Sequence, residues 1–82
     1  MQLSISVRSG GADHLQQQIV RQIATLIENG ILRAGDFLPA TRQLSAQLGV
    51  ARNTVVLAYQ ALGREGFVET FGRGGTRVAP SA

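Results

Sequence analysis

The feature that most limits what this chain can become is a pair of apolar helical stripes with almost nothing between them. Leu44 and Leu48 stand four residues apart, Gly49-Val50 follows, and Val55, Ala58, Tyr59 and Leu62 then resume three- and four-residue spacing. Two helices joined by about three residues around a glycine cannot run on as one rod; they must turn sharply and pack against each other. Small Ser45 falls where they have to approach closely. Pro39 forbids helix upstream, so the first of the pair is predicted to start at Thr41, a good N-cap, and to stop at Gly49. The second is predicted from about residue 52 to 64, closed by Gly66.

Another helix lies upstream. Leu15, Ile19, Ile23, Leu26 and Ile27 form its stripe, Asp13 is its expected N-cap, and Asn29-Gly30 ends it. Before it, Leu3 to Val7 alternate apolar and polar residues in the manner of a short half-buried strand, broken by Ser9-Gly10-Gly11. Downstream, Phe67 to Phe71 and Thr76 to Ala79 flank Gly72-Arg73-Gly74-Gly75, which reads as a β-hairpin with Arg73 at its tip. Pro80-Ser81-Ala82 reads as the first residues of a linker or a frayed end. With 82 residues there is room for one domain, expected over 1–79. The predicted class is α+β, mainly α: three helices and a C-terminal hairpin, with the option of a short N-terminal strand. That order is the layout of a winged helix-turn-helix.

Composition narrows the function. Without cysteine, neither a disulfide framework nor a thiolate metal site is available, and packing must hold the domain. No apolar run approaches the ~18–20 residues that span a bilayer, and the N-terminus lacks a secretory signal's apolar core, so a cytoplasmic, non-membrane protein is expected. His14 is the single histidine and the five carboxylates are scattered, which leaves no expected catalytic or metal-ligating set. The stretch Gly72 to Gly75 lacks the lysine and following helix of a phosphate loop. All eight basic residues are arginine, giving a net charge of +3. A planar donor fork suits phosphate and guanine edges, although a genomic preference for arginine would produce the same composition.

Position along the chain decides between these. Arg52, Asn53 and Thr54 open the third helix, where an ordinary polar first turn is the simpler reading. Placed after the Gly49 turn and before core-facing Val55, they instead suit a helix end that meets phosphates and base edges in the major groove. Asn53, Leu57, Gln60 and Arg64 point away from the stripe, and Gln60 is a second candidate reader. Arg42, in the first turn of the second helix, works against the helix dipole unless an anion faces it. At the hairpin tip, Gly72 and Gly74 allow close backbone approach and Arg73 can enter a minor groove. Arg77 can face DNA or solvent. Val56 and Leu57 widen the apolar surface and leave open a thymine-methyl contact or a protein partner. Tyr59 is expected to be buried with its hydroxyl bonded to backbone, and Phe37, Phe67 and Phe71 to pack core and wing.

These segments, taken in order, resemble the GntR family of bacterial transcription regulators: Leu38-Pro39-Ala40-Thr41-Arg42-Gln43-Leu44, Leu48 to Val55, Ala58-Tyr59, Leu62, Glu65-Gly66 and Gly74 to Ala79. The resemblance covers roughly residues 14 to 79. Arg52 to Tyr59 is most similar to the MocR branch, whose full-length members join this domain to a pyridoxal-phosphate-binding, aminotransferase-like domain; the YtrA branch carries a similar helix. The resemblance implies operator contacts by Arg42, Arg52, Asn53, Thr54 and the wing at Gly72 to Gly74, in a dimeric full-length regulator. Ala51 departs from the family's usual Ser or Thr. No lysine is present to hold pyridoxal phosphate as a Schiff base, so no cofactor is expected in this chain. The competing class is a winged-helix module that binds protein through Val56 and Leu57.

Overall fold

In a computed structural model, which describes residues 3–8, 10–71 and 75–80, three helices pack around one core and a hairpin closes it. They are α1 (Ala12–Glu28), α2 (Thr41–Leu48) and α3 (Arg52–Arg64), followed by β1 (Val68–Thr70) and β2 (Thr76–Val78). The stripes read from the sequence are the buried faces. Ile19, Ile23 and Ile27 of α1 meet Val55, Ala58, Tyr59 and Leu62 of α3, with Leu44 of α2 wedged beside them. Completely burying an aliphatic side chain contributes about 1.5–3 kcal/mol, so this cluster is the main source of stability in a chain without disulfides.

Gly49 makes the turn between α2 and α3. It sits at φ 70°, ψ 34°, the left-handed conformation that glycine adopts without the cost a Cβ brings. The amides of Gly49 and Val50 both donate to the Ser45 carbonyl, at 2.9 and 3.1 Å, closing the end of α2. Ser45 is buried, and its Oγ donates to the Arg42 carbonyl at 2.9 Å, which satisfies the hydroxyl inside its own helix.

Both expected helix caps are corrected. Helix α1 is capped by Gly11, whose carbonyl accepts from the Leu15 amide at 3.0 Å, and Asp13 is the second helical residue. The extended backbone of Gly11, at φ −67° and ψ 167°, lets the helix begin earlier than the aspartate signal implied. Helix α2 is capped by Ala40, whose carbonyl accepts from Leu44 at 2.9 Å, and Thr41 is its first helical residue. A proline followed by an extended Ala40 brings the chain into helical geometry one residue sooner, and no side-chain hydroxyl takes part.

The N-terminal alternation is real, but its pairing partner is not a strand. Leu3 is buried and Ile5 and Val7 are half-buried, while Ser4, Ser6 and Arg8 are exposed. Ser6 exchanges two hydrogen bonds with the Gln22 amide, its N–H donating to Oε1 at 3.2 Å and its carbonyl accepting from Nε2 at 2.6 Å. Arg8 does the same with Gln18, at 2.7 and 3.1 Å. Two residues of extended chain advance about 6.6 Å and four residues of helix about 6 Å, so glutamines one turn apart match alternate backbone positions. The two side-chain amides stand in for a strand edge. At the segment's start, Gln47 Nε2 of α2 donates to the Leu3 carbonyl at 2.8 Å.

The hairpin is antiparallel with Val68 opposite Val78, Glu69 opposite Arg77 and Thr70 opposite Thr76. A further segment runs along the free edge of β2. Leu38 N–H donates to the Thr76 carbonyl at 2.8 Å, Val78 N–H to the Asp36 carbonyl at 2.8 Å, and Gly35 N–H to the Val78 carbonyl at 2.9 Å. Val68 and Val78 face the core and anchor the wing to the helices. The aromatic residues divide between core and wing. Phe67 is half-buried against the core, whereas Phe37 and Phe71 are 53% and 44% exposed. Phe71 packs within the wing, its ring 4.3 Å from the Arg77 guanidinium, which also lies 3.9 Å from Glu69.

Candidate nucleic-acid interface

The first turns of α2 and α3 supply the candidate contacts. Both helices begin at alanine caps, which make no side-chain cap hydrogen bond, and neither has an acidic residue in its first turn. Arg42, Arg52 and Asn53 are all exposed there. From residue 37 to 64 the chain carries no Asp or Glu at all, while Arg42, Arg52 and Arg64 lie within it. That gap in the carboxylates leaves both helix starts without an acidic neighbour along the chain. Cations beside the positive end of a helix dipole cost each helix about 0.3–1 kcal/mol, and among the described residues no carboxylate pairs with either arginine.

The starts of the two helices are tied together. Arg52 Nε donates to Thr41 Oγ1 at 3.3 Å, so the hydroxyl expected to cap α2 instead serves an arginine of α3. Two residues upstream, the Tyr59 hydroxyl donates to the Pro39 carbonyl at 2.6 Å in a buried bond. The expectation for Tyr59 is met. Its burial raises the phenol pKa well above the ordinary value, since the phenolate would have to form away from water.

Farther along α3, Gln60 and Arg64 are exposed in line with Asn53, and Leu57 is 38% exposed between them. Val56 is half-buried, so the apolar surface of this helix is narrower than its sequence implied. Thr54 departs from expectation. It is only 5% exposed, because the residue before core-facing Val55 still points partly inward, and its side chain is not presented with those of Arg52 and Asn53. Gly72, Arg73 and Gly74 lie outside the described residues. Arg77 is half-buried, held between Phe71 and Glu69 on the wing.

Among the described residues no group of histidine, cysteine or carboxylate side chains is placed to hold a metal ion. No described helix is long and apolar enough to cross a membrane. A glycine turn between α2 and α3, an arginine-bearing helix start and a hairpin against the core define a winged helix-turn-helix DNA-binding domain. Residues 15–78 match the model of the gntR family of bacterial regulatory proteins, and the chain belongs to that family.

Its similarity reaches regulators of both branches named above. It is 40% identical over 65 residues to the probable rhizopine catabolism regulatory protein MocR of Rhizobium meliloti, covering 79% of this chain and 13% of that protein. It is 38% identical over 68 residues to the transcriptional repressor YtrA of Bacillus subtilis, covering 83% of this chain and 52% of the repressor. The chain thus spans about an eighth of one relative and half of the other. Among solved structures, the DNA-binding domain of AraR in complex with operator ORX1 superposes with a TM-score of 0.80 at 27% identity, over 90% of this chain and 94% of that one.

Proposed function

We propose that this domain recognises a half-site of operator DNA with the first turn of α3 in the major groove, Arg42 of α2 on the adjoining backbone, and the wing on a phosphate or in the minor groove. The observation that carries this reading is that both helix starts, whose alanine caps make no side-chain hydrogen bond, carry exposed arginines and no first-turn carboxylate. Such an arrangement works against the isolated helices and in favour of a polyanion. Arg52 and Asn53 are the base readers, since Arg forks onto guanine and Asn onto adenine, and Gln60 is the next candidate along the groove. Thr54 is assigned to helix packing.

The role is binding, with no catalytic step. The likeness to an operator-bound domain supports double-stranded DNA as the partner. Acting in the cytoplasm, the full-length regulator would be a dimer, with half-sites one helical turn or a multiple apart. Any pyridoxal phosphate would belong to a domain of a MocR-like regulator beyond this chain. A gel-shift titration at several salt concentrations tests the interface. Arg42→Ala should weaken binding to any duplex and reduce the slope of log affinity against log salt by about one, and Arg52→Ala should weaken binding by about 1–3 kcal/mol and relax base selectivity. Unchanged affinity in both variants would refute the reading and favour a protein partner on the Leu57 face.

A further inference from the structure

The sequence places one hydroxyl at the start of α2, and the structure uses it for something other than capping. Thr41 is half-buried and β-branched at the first helical position, where few χ1 rotamers are open to it, and its Oγ1 accepts a hydrogen bond from α3. The bond from Arg52 Nε reaches it across the gap between α2 and α3. That gap is itself held, because Tyr59 of α3 bonds the Pro39 carbonyl just ahead of Thr41. Thr41 and Arg52 are therefore fixed in relation to each other through a buried contact that involves neither.

We propose that Thr41 is a positioning residue for DNA recognition. A guanidinium has a fixed fork of five donors, and two different edges can meet a pair of acceptors: the Nε side and the Nη1/Nη2 end. Occupying Nε leaves the end-on pair as the edge presented to DNA, in the geometry that meets two acceptors at once on guanine. The same bond removes orientations in which a long, exposed arginine would satisfy any passing phosphate oxygen. Thr41 thus acts through Arg52 and sets selectivity more than general affinity. The inference rests on the interface proposed above, with Arg52 as a base reader.

The test uses the 82-residue chain with Thr41→Val, Thr41→Ser, Arg52→Ala and the Thr41→Val/Arg52→Ala pair. The probes are a duplex enriched from a random-sequence pool by the unsubstituted chain, and a scrambled duplex of equal composition, read by fluorescence anisotropy below the melting onset of every variant. Valine should weaken binding to the enriched duplex about three- to tenfold, the range of one modest hydrogen bond, and leave the scrambled duplex unaffected. Serine, which keeps the acceptor, should restore binding to within about twofold by the same reasoning. In the Arg52→Ala background, valine should have no further effect, since the coupling has already been removed. An equal loss in that background, a serine variant as weak as valine, or full binding by valine while Arg52→Ala binds weakly would each overturn the positioning role. If Arg52→Ala itself binds the enriched duplex normally, the interface assignment falls, and the role of Thr41 with it.

Discussion

Raising the pH above 10 should destabilise this domain through one residue, and the chain is unusually suited to showing it. Tyr59 is the single tyrosine, and with no cysteine and no lysine present nothing else on the side chains titrates between about pH 9 and 12. In the unfolded chain its phenol ionises near its ordinary value of about 10. In the folded chain burial raises that value, and the bond to the Pro39 carbonyl requires the proton to be present. Above pH 10 the native state therefore binds more protons than the unfolded state, and stability falls as pH rises. The stabilising effect is complete below the unfolded value and is lost on the way up to the folded one. The limiting slope is about 1.4 kcal/mol per pH unit, so a domain of this size should lose roughly that much by pH 11. Urea unfolding followed by far-ultraviolet circular dichroism, at half-unit steps from pH 8 to 11.5, measures it directly. Absorbance near 295 nm reports phenolate formation independently and should appear with unfolding rather than before it. Tyr59→Phe should abolish the slope and lower stability at pH 8 by about 1–3 kcal/mol, the cost of leaving the Pro39 carbonyl buried without its donor. A phenolate signal at pH 10 in fully folded protein, or the same alkaline slope in the phenylalanine variant, would refute the reasoning.

Further outcomes follow from the same contacts. Gly49→Ala should cost about 1–2 kcal/mol in urea unfolding, wholly from the left-handed backbone, because a Cβ there meets no atom within 4 Å. Gly49→Asn should cost less, since asparagine tolerates that conformation, and a reversed order would point to sterics instead. Gln22→Ala should speed hydrogen exchange at the Ser6 amide while the Arg8 amide, still held by Gln18, keeps its protection; equal loss at both would mean the segment detaches as a unit. Replacing thymine by uracil in a duplex bound by this chain should weaken binding by up to about tenfold if Leu57 meets a thymine methyl, and Leu57→Ala should erase the difference between the two duplexes.

The helices were legible in the sequence because their information is local and periodic. Ile19-Ile23-Ile27 and Val55-Ala58-Tyr59-Leu62 specify which face is buried whatever lies opposite, and Gly49 specifies where the chain must turn. Both wing strands followed from short apolar runs flanking glycines. Exposed candidate readers are predictable from the same stripe by subtraction, which places Asn53 and Gln60 on the surface, whereas Thr54, at the edge of the stripe, is buried.

What the sequence could not express was the identity of polar partners far apart along the chain. A serine- and arginine-bearing extended segment gives no hint that its backbone will be met by Gln18 and Gln22 instead of a strand, because a side-chain amide and a peptide offer the same donor and acceptor. Thr41 has the composition of a cap, yet its hydroxyl goes to Arg52, eleven residues away in sequence and adjacent only once α2 and α3 are packed. By itself, then, the sequence determined the three helices, the turn, the hairpin and the helix end that carries the arginines. Only the tertiary structure decided which hydroxyl holds which arginine, since hydrogen bonds are directional and short, and their partners exist only after the hydrophobic faces have set the helices in place.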